Sequence, residues 1–380
     1  MKILVVQDHL RNGGTERQAV LLATAFATAG HATTLLTFRP GGALASMVPS
    51  IVARHTLQPF NTRLDWFAPG LARFASRLTP DVILCMGRMA NCRAGGLQQK
   101  LPGAAVIATM RTGKKLPHLY RRSLHLARHV VANSADAAHL LANGYAVPSA
   151  KISVIHNALV FPPAHSDDPS APAPASAESR AKPELRSETL RDSLRAAHHA
   201  APATAVLLCV AMFRPEKNQR ALIHLAARLP RDTDWQLWFA GEGETRANCA
   251  ALTQQLGLTA RIQYLGFQAN PSPLYSAADI AVLTSQSESL PNFLIEAQAH
   301  GLPAVADDVG GVRECFLPGE TGWAVPPGDT GAFLAALTPL LTNAARRASL
   351  APAARAFARE SFSPARQATA YLELFAHLCA

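Results

Sequence analysis

Acidic residues in the first half, paired cysteines and long apolar runs are what this chain of 380 residues lacks. No apolar run reaches the ~20 residues that cross a bilayer as a helix, so no transmembrane helix is expected. The cysteines Cys85, Cys92, Cys209, Cys249, Cys315 and Cys379 show no C-x-x-C spacing. That argues against zinc and against disulfides, and reads as buried free thiols in a reducing compartment. The apolar run Met1–Val6 is too short for a secretory signal and ends at Gln7-Asp8-His9, so it reads as a buried first strand. Residues 1–160 hold 18 Lys+Arg against 5 Asp+Glu, whereas residues 161–380 hold 18 against 21. A half with net charge +13 suits an anionic partner: membrane lipid, a lipid-phosphate acceptor or nucleic acid. Its cations are not interleaved with aromatics as in a nucleic-acid module, so nucleic acid is not expected.

What is present is a globular composition, 49% hydrophobic and 16% charged, at a length that suits two domains. In the first half, Ile3–Val6, Thr33–Phe38, Val82–Met86, Ala105–Met110 and His129–Asn133 read as strands. Thr15–Ala29, Pro69–Leu78 and Ser134–Leu141 read as helices. A second series of strands runs through Ala205–Ala211, Trp235–Ala240, Ile262–Tyr264, Ile280–Leu283, Ala304–Asp307 and Trp323–Val325. Strands alternating with helices predict an α/β fold with two doubly wound parallel sheets. The expected division is 1–160, a Pro/Ala-rich linker and lead-in helix over 161–200, a second domain over 201–363 and a terminal helix over 364–380. Within the linker, Pro162–Pro183 is too low in complexity to bury a core. Thr189–His199 reads as the lead-in helix, and Pro364–Leu378 has helical periodicity.

The most informative stretch is Glu288-Ser289-Leu290-Pro291-Asn292-Phe293-Leu294-Ile295-Glu296. Pro291 suits a first helical turn, and Gly301 with Pro303 suits its end. The backbone N–H groups of Ser289 to Phe293 then form a positive helix end, a natural anion site. Eight helical residues span roughly 12 Å, about the separation of sugar and ribose in a nucleotide sugar.

This spacing and its flanks closely resemble the E-x7-E signature of the retaining family 4, group 1 glycosyltransferases, the glycogen-synthase-like enzymes with a GT-B fold. The resemblance implies two Rossmann-like domains facing a central cleft, with Glu288 on donor-sugar hydroxyls and Glu296 on the ribose. Gly13 and Gly14 resemble the family's glycine-rich first loop. Gly241-Glu242-Gly243 resembles its small turn beside the donor, and Gly266-Phe267 the segment whose backbone reads the nucleobase. Gly310-Gly311 and Gly319-Glu320-Thr321-Gly322 also match and read as scaffold turns. The resemblance assigns donor contacts to Gly13, Gly14, Lys217, Gly241, Glu242, Gly266, Phe267, Glu288, Ser289, Leu290, Pro291, Asn292 and Glu296. Members usually place an Arg just after the first strand of the second half and a Lys five residues on. Lys217 matches; Met212 stands at the Arg position, with Arg214 the nearest cation that could substitute. The catalytic candidates are therefore Lys217, Glu288 and Arg214. A His usual near the donor sugar is replaced by Arg111.

His9, Arg111, Lys114, Lys115, His118, Arg121 and Arg122 are candidates for contact with the acceptor or a membrane surface. Lys114 to Arg122 form a basic segment interleaved with Leu116, Leu119 and Tyr120, suited to an anionic lipid surface. The resemblance implies a nucleotide-sugar donor, commonly a uridine diphosphate sugar, transferred with retention. The expected acceptor is a lipid-linked saccharide or cell-surface polysaccharide at the inner face of the cytoplasmic membrane. No cofactor and no metal are expected, since the family does not need one. Two alternatives stay open: a catalytically impaired homologue acting as a binding or assembly subunit, and a nucleotide-sugar epimerase or hydrolase on the same fold.

Overall fold

The first-half strands send alternate residues to opposite faces, and both faces are apolar. Leu4, Val6, Leu36, Ile83 and Val106 enter one core, whereas Ile3, Val5, Leu35, Leu84 and Ile107 enter another. Such strands need helices on both sides, which is the doubly wound solution. The computed structural model describes residues 1–113, 115–161 and 190–380, and divides into two units: residues 1–158 with 362–380, and residues 159–361. The low-complexity part of the expected linker, and Lys114, lie outside the described residues.

In the first unit the order is β1 (Lys2–Gln7), α1 (Gly14–Thr28), β2 (Ala32–Thr37), β3 (Ala53–Thr56), α2 (Leu71–Leu78), β4 (Val82–Cys85), α3 (Arg88–Lys100), β5 (Ala105–Met110), α4 (His118–Leu126), β6 (His129–Ala132), α5 (Ala135–His139) and β7 (Ile152–Val154). The sheet order is β3-β2-β1-β4-β5-β6-β7, parallel throughout. Helices α2 to α5 cover one face. Helix α1 covers the other, together with the last helix of the chain, whose Tyr371 and Phe375 pack edge-on against Phe26.

The second unit opens with a helix over 190–197 (α6). It continues through β8 (Ala205–Val210), α7 (Gln219–Ala226), β9 (Trp235–Ala240), α8 (Arg246–Gln255), β10 (Ile262–Tyr264), α9 (Ser272–Ala277) and β11 (Ile280–Leu283). Then come α10 (Asn292–Ala299), β12 (Ala304–Asp307), β13 (Gly322–Val325), α11 (Thr330–Thr342) and α12 (Ala344–Ser361). Its parallel sheet runs β10-β9-β8-β11-β12-β13. Helix α13 (Pro364–Cys379) then returns to the first unit, with Ser363 capping it by accepting from Arg366 N.

Each strand expected from the sequence is present to within a residue at either end. Two strands were not anticipated. β3 reads Ala-Arg-His-Thr with every residue exposed, and β7 has three residues without a buried one, so neither carries a hydrophobic signal. Both are edge strands. The expected helix over Ser134–Leu141 is instead the short α5 followed by a π-helical turn at Leu140–Gly144. Helix α10 starts at Asn292, so Pro291 is its N-cap and not its first helical residue. Among the described residues no helix is long and apolar enough to cross a membrane.

Arg195 fixes the entry to the second unit. It is 3% exposed and donates to Asp279 Oδ2 at 2.9 Å, while Asp279 also takes Arg191 at 2.8 Å and the backbone N–H of Val206 at 2.8 Å. Removing the acid strands a buried guanidinium, which costs about 3 kcal/mol or more. Asp279→Ala is therefore expected to lower the urea stability of the second unit by that amount. A loss under about 1 kcal/mol, the worth of an exposed pair, would contradict the buried-pair account.

Candidate functional site

In a doubly wound sheet, ligands bind beyond the carboxyl ends of the strands, where the strand order reverses. That point lies between β8 and β11 in the second unit and between β1 and β4 in the first.

At the β8/β11 point the chain leaves β8 through Met212 to Asn218 and leaves β11 through Thr284 to Pro291. Gln286 N donates to Glu216 O at 2.8 Å, and Thr284 Oγ1 donates to Asn218 O at 3.0 Å. These bonds hold the two loops edge to edge. Lys217, the last residue of a 3-10 turn at Pro215–Lys217, then donates from Nζ to Glu288 Oε1 at 2.6 Å. The Glu288 side chain is 8% exposed and that of Lys217 25%, so the pair is sheltered.

Gly310, read from the sequence as a scaffold turn, bears directly on this site. Its φ is +55°, and a Cβ there would lie 2.1 Å from Glu288 O. Gly311 N donates to Ser289 O at 3.0 Å. The loop after β12 thus clamps the backbone of the Glu288 loop. Leu290 and Pro291 are buried, and the Cys315 thiol lies beneath them, donating to Gly311 O at 3.4 Å.

Glu296 sits one helical face along. It accepts a bond from the Tyr275 hydroxyl, which lies between Phe293 and His300 with ring centroids 6.1 and 5.0 Å away. Burial and the neighbouring carboxylate push the Tyr275 phenol well up, so it stays a donor.

Gly241 N donates to Gly266 O at 2.8 Å, and Phe213 N donates to Glu242 O at 3.0 Å, which brings the two glycine turns beside the β8 loop. Gly243 has φ +152° and lies so close to Phe213 O that a Cβ would be 2.3 Å from it. Phe267 is exposed. Met212 is 51% exposed, and Arg214 is exposed and forms no ion pair among the described residues, so the Lys217–Glu288 pair does not include it. The sequence also contains Asp232-Thr233-Asp234, a D-x-D string of the kind that can hold a metal. It lies at the entry to β9, where Asp234 accepts from Thr204 Oγ1 at 2.6 Å, at the strand end opposite Gly241.

The β1/β4 point in the first unit holds a cavity of about 250 Å³ whose lining includes Asp8, Arg11, Glu16, Arg88 and Arg111. The sequence assigns no site role to Asp8, Glu16 or Arg88. Asp8 follows β1 and caps α3, accepting from Met89 N at 2.9 Å and Ala90 N at 2.7 Å. Burial outweighs these bonds and raises Asp8 to about 6. Gly13 is the N-cap of α1 and Gly14 its first residue, with the Glu16 carboxylate folded over Gly13. Burial also raises Glu16.

Arg111 lines this cavity while its guanidinium donates to Asn157 Oδ1 and, at 2.9 Å, to the Tyr371 hydroxyl. Lys115, His118, Arg121 and Arg122 are exposed and lie before or on α4. His9 is buried, and desolvation and then Arg39 lower its pKa.

Two family descriptions match the chain. Glycosyltransferase Family 4 matches residues 12–159, and Glycosyl transferases group 1 matches residues 191–357. The lipopolysaccharide core biosynthesis glycosyltransferase LpsE of Rhizobium meliloti is 32% identical over 176 residues, covering 46% of this chain and 51% of that protein. D-inositol 3-phosphate glycosyltransferase of Rhodococcus opacus is 34% identical over 195 residues, covering 49% and 44%. The chain thus spans about half the length of the curated relatives it matches. Among solved structures, Anabaena Alr3699/HepE in complex with UDP-glucose superposes with a TM-score of 0.77 at 20% identity, covering 99% of this chain and 100% of that one. At that identity the likeness concerns the fold, GT-B.

Two outcomes are expected. Gly310→Ala forces a Cβ against Glu288 O and should disturb the Glu288 loop, abolishing any ligand-induced thermal shift at this site while the far-UV circular dichroism stays unchanged. An unaltered shift would separate Gly310 from the site. Asp8 gives a pH signature. Its carboxyl binds a proton more tightly folded, at about 6, than unfolded, at 3.8. Its contribution to stability is therefore present below pH 3.8 and is lost as pH rises to 6, by about 3 kcal/mol. The unfolding free energy of the native chain, less that of Asp8→Asn, should fall across that window; a flat difference would refute the shift.

Proposed function

The chain belongs to the group 1, family 4 glycosyltransferases, and from that premise we propose that it transfers a sugar, with retention, from a uridine diphosphate sugar to a lipid-linked saccharide or cell-surface polysaccharide. The observation that carries this reading is the sheltered Lys217–Glu288 pair at the switch point of the second unit, one turn before the N-terminus of α10.

Breaking the glycosidic bond leaves a nucleoside diphosphate that gains negative charge. An ammonium has three donors, so Lys217 can keep Glu288 and still meet a phosphate oxygen. The N-terminus of α10, at Asn292, adds the positive end of a helix dipole. Glu288 is suited to accept from sugar hydroxyls, and Glu296, oriented by Tyr275, from the ribose. The attacking acceptor hydroxyl gives its proton to the departing phosphate on the same face, so no protein nucleophile takes part. Lys217 and the helix end do the work a divalent cation does elsewhere, and no cofactor is required.

Lipopolysaccharide core biosynthesis in the name of the Rhizobium relative, and UDP-glucose in the Anabaena complex, support the choice of donor and acceptor class. The acceptor places the protein peripherally at the inner face of the cytoplasmic membrane, with Lys115, His118, Arg121 and Arg122 among the contacts. Met212 at the usual Arg position favours a second reading, a homologue that binds the donor without turning it over.

Thermal shift against nucleoside diphosphates, paired with a transfer assay, tests both. UDP and UDP-sugars should stabilise the chain, by about 2.7 kcal/mol at a hundredfold excess over Kd, and Glu296→Ala should remove the shift. Lys217→Ala should lower kcat roughly 100- to 1000-fold, the usual loss for a donor to a developing anion. Binding without turnover would establish the second reading, and no shift with any nucleotide would overturn both.

A further inference from the structure

Across the first unit, away from the β1/β4 cavity, helices α2, α3 and α4 enclose a groove of about 480 Å³. Its lining includes Arg73 from α2, Arg93 and Lys100 from α3 and Arg122 from α4, and none of the described residues lining it is acidic. Leu71 and Leu97 supply buried apolar floor, and Leu119, 54% exposed, stands at the edge. Cations converging from three helices on an apolar floor make a site for an amphiphile with an anionic head.

Two further observations point the same way. Gly95 and Gly96 lie in adjacent positions inside α3, where glycine weakens a helix. A Cβ on Gly95 would lie 3.0 Å from Ser123 Cα and Leu126 Cβ, so Gly95 permits the close approach of α4. No such contact explains Gly96, where an added Cβ would meet nothing within 4 Å; it lines the groove and leaves it open.

The second observation is the flanking segment from Gln58 to Phe67. Gln58 is wholly buried and donates to Leu64 O at 2.9 Å and Phe67 O at 2.6 Å while accepting from Thr62 Oγ1 at 2.7 Å. Asp65 accepts from Arg39 at 2.6 Å, and Arg93 of the groove donates to Trp66 O at 3.0 Å. This loop is held by buried polar bonds, yet it presents Phe60 at 69% and Trp66 at 56% exposure. A braced loop that shows aromatics to solvent beside a cationic groove has the pattern of an interfacial anchor.

We propose that this groove seats the phosphate headgroup of an anionic phospholipid in a bilayer surface, with Trp66 and Phe60 entering the interface beside it. The inference rests on the peripheral membrane placement proposed above and assigns it to residues outside the basic segment around Lys115, apart from the shared Leu119 and Arg122.

The test is partition of the full chain onto phosphatidylcholine vesicles with and without phosphatidylglycerol, at low and physiological salt. The native chain should bind only the anionic vesicles. Arg73→Gln/Lys100→Gln should lower partition roughly 25-fold, about fivefold per cation. Lys2→Gln/Arg54→Gln removes the same charge elsewhere on the unit, from β1 and β3, and should leave partition unchanged. Gly96→Leu fills the groove without altering charge, with a better helix former, and should also lower partition. The UDP thermal shift reports on the second unit without lipid. A lost shift with intact vesicle binding would therefore fail the transferase reading and leave the groove standing. Equal losses in the two charge pairs would overturn the proposal in favour of diffuse charge. Native-like partition of Gly96→Leu would overturn headgroup entry, and release by soluble glycerol phosphate would overturn it in favour of a free phosphate ester.

Discussion

The bond from Lys217 Nζ to Glu288 Oε1 is the interaction on which the candidate site depends, because it joins two loops that the sequence separates by 71 residues. Its value lies in position more than in stability. A partly sheltered ion pair loses in desolvation much of what it gains in attraction. What it secures is a cation and a carboxylate at fixed places before a ligand arrives, so that less ordering has to accompany binding. The backbone bonds from Gln286 to Glu216 and from Thr284 to Asn218 do the prior work of bringing the loops together. The side-chain pair then forms with little further loss of freedom.

The two units share a sheet plan and close their switch points in opposite ways. In the second, a cation crosses to a carboxylate. In the first, the Asp8 carboxylate crosses to the backbone N–H groups at the start of α3. A carboxylate there satisfies the free donors of a helix N-terminus, but it spends its lone pairs on the scaffold, and burial raises its proton affinity. The first-unit cavity therefore combines a weakened acid with Arg11, Arg88 and the braced Arg111, whereas the second-unit site keeps an ammonium with donors to spare.

Much of this was legible in the sequence where burial leaves a pattern. Strands buried on both faces read as continuous apolar runs, and the Glu288–Glu296 spacing with Pro291 and Gly301 marked α10. The edge strands β3 and β7 carried no apolar run. Helix α3 gave no strong 3.6-residue signal because its buried face is made of Ala90, Asn91, Ala94 and Gly95, small or polar residues, with Leu97 its one large apolar side chain. Gly310 and Asp8 belong to a different category. Their roles are contacts with residues 22 and 81 positions away, and no local pattern encodes a contact at that separation. Tyr275 was invisible for the same reason, since its partner Glu296 is 21 residues on.

The departure at Met212 changes how the site's electrostatics must be read. With that position exposed and apolar, and Arg214 outside the pair, Lys217 is the cation that the structure holds against Glu288. Backbone dipoles around the pair neither titrate nor reorient, and they act most strongly where water is excluded. Their aim is fixed by how closely the loops approach one another. That approach is set by Gly310, whose missing Cβ lets its loop rest on Glu288 O, and by Gly243, which does the same against Phe213 O. A change at either glycine alters no charge, yet it would move the loops that carry Lys217 and Glu288. In this chain the placement of the charged pair thereby rests on positions that carry no side chain at all.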